Sequence, residues 1–146
     1  TVLSRGLGDV YKRQAIAMPD GDEYTQLELP KVYFDHVRDR FIMLISSCNR
    51  LHEQQSDAEA DKRMRLYEAK SLSGPWYPCG HHGSSLRLAE PHMFGVAVLN
   101  VDFERQTLDY IAPYTQEAGS EKFLTLSRTH TLDLSKLGVR REGAQP

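Results

Sequence analysis

From Gln26 onward the chain reads as a series of short apolar runs separated by polar turns. KVYF (31–34) and RFIMLISS (40–47) flank the polar HVRD, which predicts a hairpin with a short turn. In MRLYEA (64–69) apolar and polar residues alternate, the pattern of a half-buried strand. GVAVLNV (95–101), TLDYIAPY (107–114) and FLTLSRTHTLDL (123–134) add three more runs, with DFERQ as the turn between the first two. LHEQQSDAEADKR (51–63) has helix-forming residues but almost no apolar stripe, so a solvated loop or a frayed turn is expected there. About six strands, no core helix and short connections predict an all-β fold built from antiparallel meanders: a sandwich, a barrel or propeller blades. Two hairpin-plus-strand units of similar size fit two successive blades.

Composition narrows the class without naming a function. With 146 residues and 40% hydrophobic content, the chain can bury one modest core. A net charge of −2 with scattered basic residues argues against nucleic acid or an anionic membrane surface as partner. No run approaches the roughly 20 apolar residues of a bilayer span. Cys48 and Cys79 fit one disulfide or two free thiols. No charged segment followed by an apolar one opens the chain, so no signal peptide is legible in it.

The ends read differently from the middle. TVLSRGLGDVYKRQ (1–14) has neither strand alternation nor a helical stripe. Its stretch Ser4–Gln14 resembles the translation of a transposase-type sequencing adapter and is excluded from fold reasoning. AIAMPDGDEYTQ (15–26) is a Pro/Gly/Asp-rich loop leading into the first strand. The folded part is expected over 15–137, and GVRREGAQP (138–146) is expected to be a disordered tail. The natural start is expected to lie upstream, which makes the chain a fragment.

The most specific stretch is LYEAKSLSGPWYP (66–78), where a strand ends and Gly74–Pro75 makes a rigid corner before Trp76. Ahead of it stand Leu27–Glu28–Leu29–Pro30, an acidic residue entering a strand, and an apolar hairpin ending in Ser46–Ser47. That order, with the S-L-x-G-P-W-x-P corner, resembles the acid-bearing blade of the five-bladed β-propeller glycosidases, glycoside hydrolase families 68, 43 and 32. Family 68, the levansucrases and related sucrose-acting fructosyltransferases, is the best overall likeness, over roughly Tyr24 to Leu134. The sequence departs from family 68 in Leu29–Pro30, nearer the E-G-P or E-A-P of family 43, in Gln26, where a second carboxylate is usual, and in Cys79–Gly80 after the corner.

The resemblance implies about the last two blades of five, from a retaining enzyme that cleaves sucrose or a related fructoside. Retaining cleavage needs an ionised nucleophile and a protonated acid about 5 Å apart. Glu28 matches the acid, which protonates the departing oxygen and then serves as base for the incoming hydroxyl. The nucleophile and a stabilising aspartate are expected on earlier blades, outside this chain, so the fragment alone is expected to be inactive. Gln26, Ser47, Arg50 and Tyr67 are the candidate substrate-binding residues. Tyr67 and Trp76 read either as a sugar-stacking platform or as blade-core packing. The relatives' habit implies an extracellular or periplasmic site of action. Two alternatives stay open: an arabinofuranosidase or xylosidase of family 43, and a carbohydrate-binding β module without catalysis. Cys79–Gly80–His81–His82, with His92, invites a metal reading, but no second ligand cluster stands at zinc-site spacing. Neither metal nor organic cofactor is expected.

Overall fold

The structure is a computed structural model, and it describes residues 25–56, 58–79, 85–115 and 119–137. The adapter-like segment, the loop before Thr25, His81, His82 and the expected tail lie outside the described residues. Two antiparallel sheets make up the rest, and no α-helix occurs among the described residues.

The first sheet is a meander in the order β1 (Gln26–Asp35), β2 (Arg40–Asn49), β3 (Asp61–Ala69) and β4 (Tyr77–Pro78). A short β5 (Ser85–Arg87) also pairs with β3, beyond β4. The second sheet is a meander of β6 (Ala97–Asp102), β7 (Thr107–Ile111) and β8 (His130–Asp133), followed by one 3-10 turn at Leu134–Leu137. All-β architecture and antiparallel pairing therefore agree with the sequence pattern. Neither sheet closes on itself.

Both predicted hairpins form, and they close in the same way. Asp35 accepts hydrogen bonds from the Val37 and Arg38 amides, and Asp39 takes the left-handed conformation (φ 49°) that returns the chain into β2. Asp102 accepts from the Arg105 amide, and Gln106 takes the same role at φ 55° before β7. An aspartate that captures turn amides is a common solution to this geometry.

Strand alternation sorts the core. Ile42, Leu44, Met64 and Leu66 turn one face of the first sheet toward Leu108 and Tyr110 of the second and Ala112 just past its β7, and this shared cluster is the main core. The opposite face carries Met43, Ile45, Tyr67, Ala69 and Trp76, with Leu27 and Phe41 packed on their rim. Burying side chains of this size contributes roughly 1.5–3 kcal/mol each, so the first sheet draws stability from both of its faces.

Two segments depart from the expected outline. Residues 51–56 and 58–59 form largely exposed turns held by local bonds such as Ser56 Oγ to Glu59 Oε2, so the solvated-loop reading holds there, whereas Asp61–Arg63, at the end of the expected loop, belong to β3. The run 123–134 keeps its strand only at β8. Leu124 sits at φ 62°, and the amides of Leu124 and Ser127 reach back to the carbonyls of Tyr114 and Ala112, so this part follows β7 as an irregular ladder.

Candidate functional site

Glu28 stands on β1, an edge strand of the first sheet, with its side chain exposed. Its register partner is Ser46. Immediately after it the ladder slips: Glu28 pairs with Ser46 and Lys31 with Leu44, so Leu29 and Pro30 together oppose Ile45. This is a β-bulge, and Leu29 occupies it at φ 55°, a conformation that costs an L-residue with a large side chain roughly 1–2 kcal/mol. Lys31 Nζ donates to the Leu29 carbonyl at 3.3 Å, and Leu29 reaches toward Gly95, the glycine that leads into the second sheet.

The bulge decides where the carboxylate goes. Uninterrupted alternation back from Tyr33 would place Leu29 and Leu27 on its face and turn Glu28 to the other side. The extra residue resets the phase, so that Glu28 and Gln26 share the face of Lys31 and Tyr33. Across the sheet the same face carries Ser46 and Cys48 on β2 and Lys62 and Met64 on β3. Lys62 in turn sits 4.7 Å over the ring of Phe94, at the approach to the second sheet.

The other sequence candidates separate by face. Ser47 is fully enclosed on the opposite side of the sheet from Glu28, and its hydroxyl has no hydrogen-bond partner among the described residues. Ser46, which the sequence gives no reason to prefer, is the serine across from Glu28. Tyr67 is 1% exposed and shares Ser47's face, its phenol likewise without a partner among the described residues. Trp76 packs in the same cluster, so packing in the core of the first sheet accounts for both rings, and neither offers a face to a sugar among the described residues. Arg50 lies past the end of β2 and is tied into its own loop, its Nε donating to the Gln55 carbonyl at 3.1 Å. The structure therefore brings Gln26 to Glu28 and sets Ser47, Tyr67 and Arg50 elsewhere.

Two polar clusters escape sequence reasoning altogether. At the turn end of the first hairpin, Asp35 is almost completely buried and holds Arg38 at 3.3 Å and Arg40 at 3.2 Å, while Arg40 also pairs with Glu68. Arg38 adds a 3.1 Å bond to the Phe103 carbonyl and so clasps the two sheets together. The cleft beside it, also lined by Cys79 and Gln106, has room for about 40 Å³, enough for a few waters and far too little for a sugar ring. Burial, then the nearby Glu68 carboxylate, outweighs Arg40 and pushes the Cys79 thiol up to about 12.

The second cluster centres on Glu90, in the connector before β6. Tyr114 donates to it at 2.6 Å, His130 Nε2 lies 3.0 Å away, and Lys122 and Arg128 stand at 3.7 and 3.9 Å. The Tyr114 hydrogen bond, chiefly, holds the Glu90 carboxyl below its ordinary range, and the same bond pushes the Tyr114 phenol up. These partners are far apart in sequence and follow no motif, so only residue type could have hinted at them.

Among the described residues no three His, Cys, Asp or Glu side chains converge as a metal site would require. Cys48 and Cys79 are both free thiols. No protein-family model, no curated protein and no solved structure matches the chain.

Proposed function

We propose that the chain is part of a retaining glycoside hydrolase or fructosyltransferase of the levansucrase kind, acting on sucrose or a related fructoside, with Glu28 as its general acid/base. The observation that carries this reading is the strained bulge at Leu29–Pro30. Non-glycine residues at positive φ and β-bulges concentrate where a backbone is held to aim a functional side chain. Here the two coincide at the residue after the only carboxylate of β1's first half.

The meander architecture supports the same reading. A four-stranded antiparallel meander followed by a second meander packed on its face is the repeat of a β-propeller. On that reading β1 is the innermost strand of its blade, and its exposed edge faces the propeller axis. A proton donor also needs apolar surroundings to stay protonated at working pH. Glu28 is exposed, so this desolvation has to come from neighbouring blades and from the bound sugar. The nucleophile belongs to another blade, about 5 Å from Glu28 in the assembled site.

Glu28→Gln in the complete gene product tests the assignment. The variant is expected to lose sucrose turnover by about 100-fold or more, the usual contribution of a positioned acid, while its melting temperature stays unchanged. Turnover that survives the substitution would overturn the role of Glu28. Release of arabinose from an aryl arabinofuranoside, with sucrose untouched, would replace the sucrose assignment by family 43 chemistry.

A further inference from the structure

Cys48 and Lys62 are direct cross-strand partners on β2 and β3, and Lys62 Nζ lies 3.0 Å from Cys48 Sγ. Facing pairs of this kind hold their Cβ atoms about 5 Å apart, so the two chains meet head-on without strain. The lysine is fixed from its other side by the Phe94 ring, 4.7 Å from Nζ. The thiol is 1% exposed, whereas the Lys62 side chain in contact with it is only half-buried. The other cysteine cannot serve as partner. The Cys79 amide bonds the Leu66 carbonyl, which places it roughly 13 Å along β3 from Lys62, and a disulfide spans no more than about 7 Å between Cα atoms.

We propose that Cys48 and Lys62 form a reversible sulfur–oxygen–nitrogen crosslink under hydrogen peroxide, a redox clip across β2 and β3. Peroxide attack by thiolate is the first step of cysteine oxidation, and at Cys48 the ammonium that would pair with that thiolate is already in contact. The thiol takes one oxygen atom from a first peroxide, giving the sulfenic acid and one water. A second peroxide then accepts two electrons as the N–O bond forms. The S–O–H and one amine N–H bond break, and two waters leave. Four equivalents of a small thiol reverse the reaction, returning the thiol, the amine and one water with two disulfides of the reductant. The clip lies on the face that Gln26 and Glu28 share, with Gln26 as the β1 partner of Cys48. It requires nothing of the glycosidase reading.

The test treats the whole chain, carrying Cys79→Ser, with hydrogen peroxide and maps its peptides. The expected product gains one oxygen and loses two hydrogens, joins the peptides of residues 48 and 62, blocks trypsin at Lys62 and disappears on dithiothreitol treatment. Lys62→Arg is expected to abolish the crosslink and to leave Cys48 to oxidise to sulfinic acid. Recovery of uncrosslinked Cys48 in the parent chain, whether unreacted or as sulfinic or sulfonic acid, overturns the proposal. So does a crosslink that persists in Lys62→Arg.

Discussion

Glu90 accepts its shortest bond from Tyr114, and the Lys122, Arg128 and His130 side chains complete its surroundings. Its carboxyl is held below the ordinary range in the folded chain, first by the Tyr114 hydrogen bond, which outweighs the opposing effect of burial, and then by Lys122 and His130. The folded state thus binds its proton less readily than the unfolded state does. The stabilisation is complete above the ordinary carboxylate range and is lost as pH falls through the folded value. Glu90→Gln is expected to flatten acid-side stability between the ordinary and folded values, read as a smaller change in urea midpoint over that window. Tyr114→Phe removes the leading cause and is expected to move the Glu90 titration back up, followed by carboxyl carbon chemical shifts. An unchanged Glu90 titration in Tyr114→Phe would contradict this account.

At the scale of the element, two features set the geometry of the first sheet. One is the corner after β3, where Gly74 holds φ 82° and a Cβ at that position would stand 3.1 Å from Trp76 Cδ1. Gly74→Ala is expected to cost about 1–2 kcal/mol, from the left-handed backbone and the crowded indole. A lowered urea midpoint at unchanged slope measures it. The other feature is the bulge behind Glu28. The corner was legible, because Gly-Pro-aromatic after an alternating strand carries its own conformational instructions. The bulge was not. Leu27–Glu28–Leu29–Pro30 alternates by eye, and simple counting gives the faces of Glu28 and Tyr33 as opposite. Only the pairing of β1 with β2 reveals the extra residue.

The same limit explains the other differences between pattern and structure. β1, β2, β3, β6 and β7 each have a run of apolar residues long enough to signal a strand. β4 and β5 are two and three residues long and exist because β3 offers them an edge. Residues 123–126 have strand composition, yet the Phe123 and Thr125 amides close local turns on the Ser120 and Lys122 carbonyls, and only the Leu124 amide reaches back to Tyr114. Ser47 is the serine the sequence puts forward, and β2's phase sets Ser46, not Ser47, across from Glu28.

Taken whole, the molecule presents Leu29, Val32 and Phe34 on β1, an edge strand, each roughly half exposed. An uncovered apolar edge pairs readily with another chain. Association in solution is therefore expected, and Val32→Lys is expected to shift the weight-average mass toward the monomer in sedimentation equilibrium. A chain that is already monomeric at high concentration would contradict this.

The sequence by itself determined the class of structure: alternation, turn residues and the Gly-Pro corner act over a few neighbours and need no distant partner. It also singled out Glu28 as a carboxylate at a strand entrance. Tertiary structure decided which face that carboxylate takes, which aromatic rings are enclosed, that Asp35 and Glu90 have charged partners, and that Cys48 meets Lys62. Those outcomes depend on register and on packing between sheets, and contacts between residues far apart in the chain leave no local trace in it.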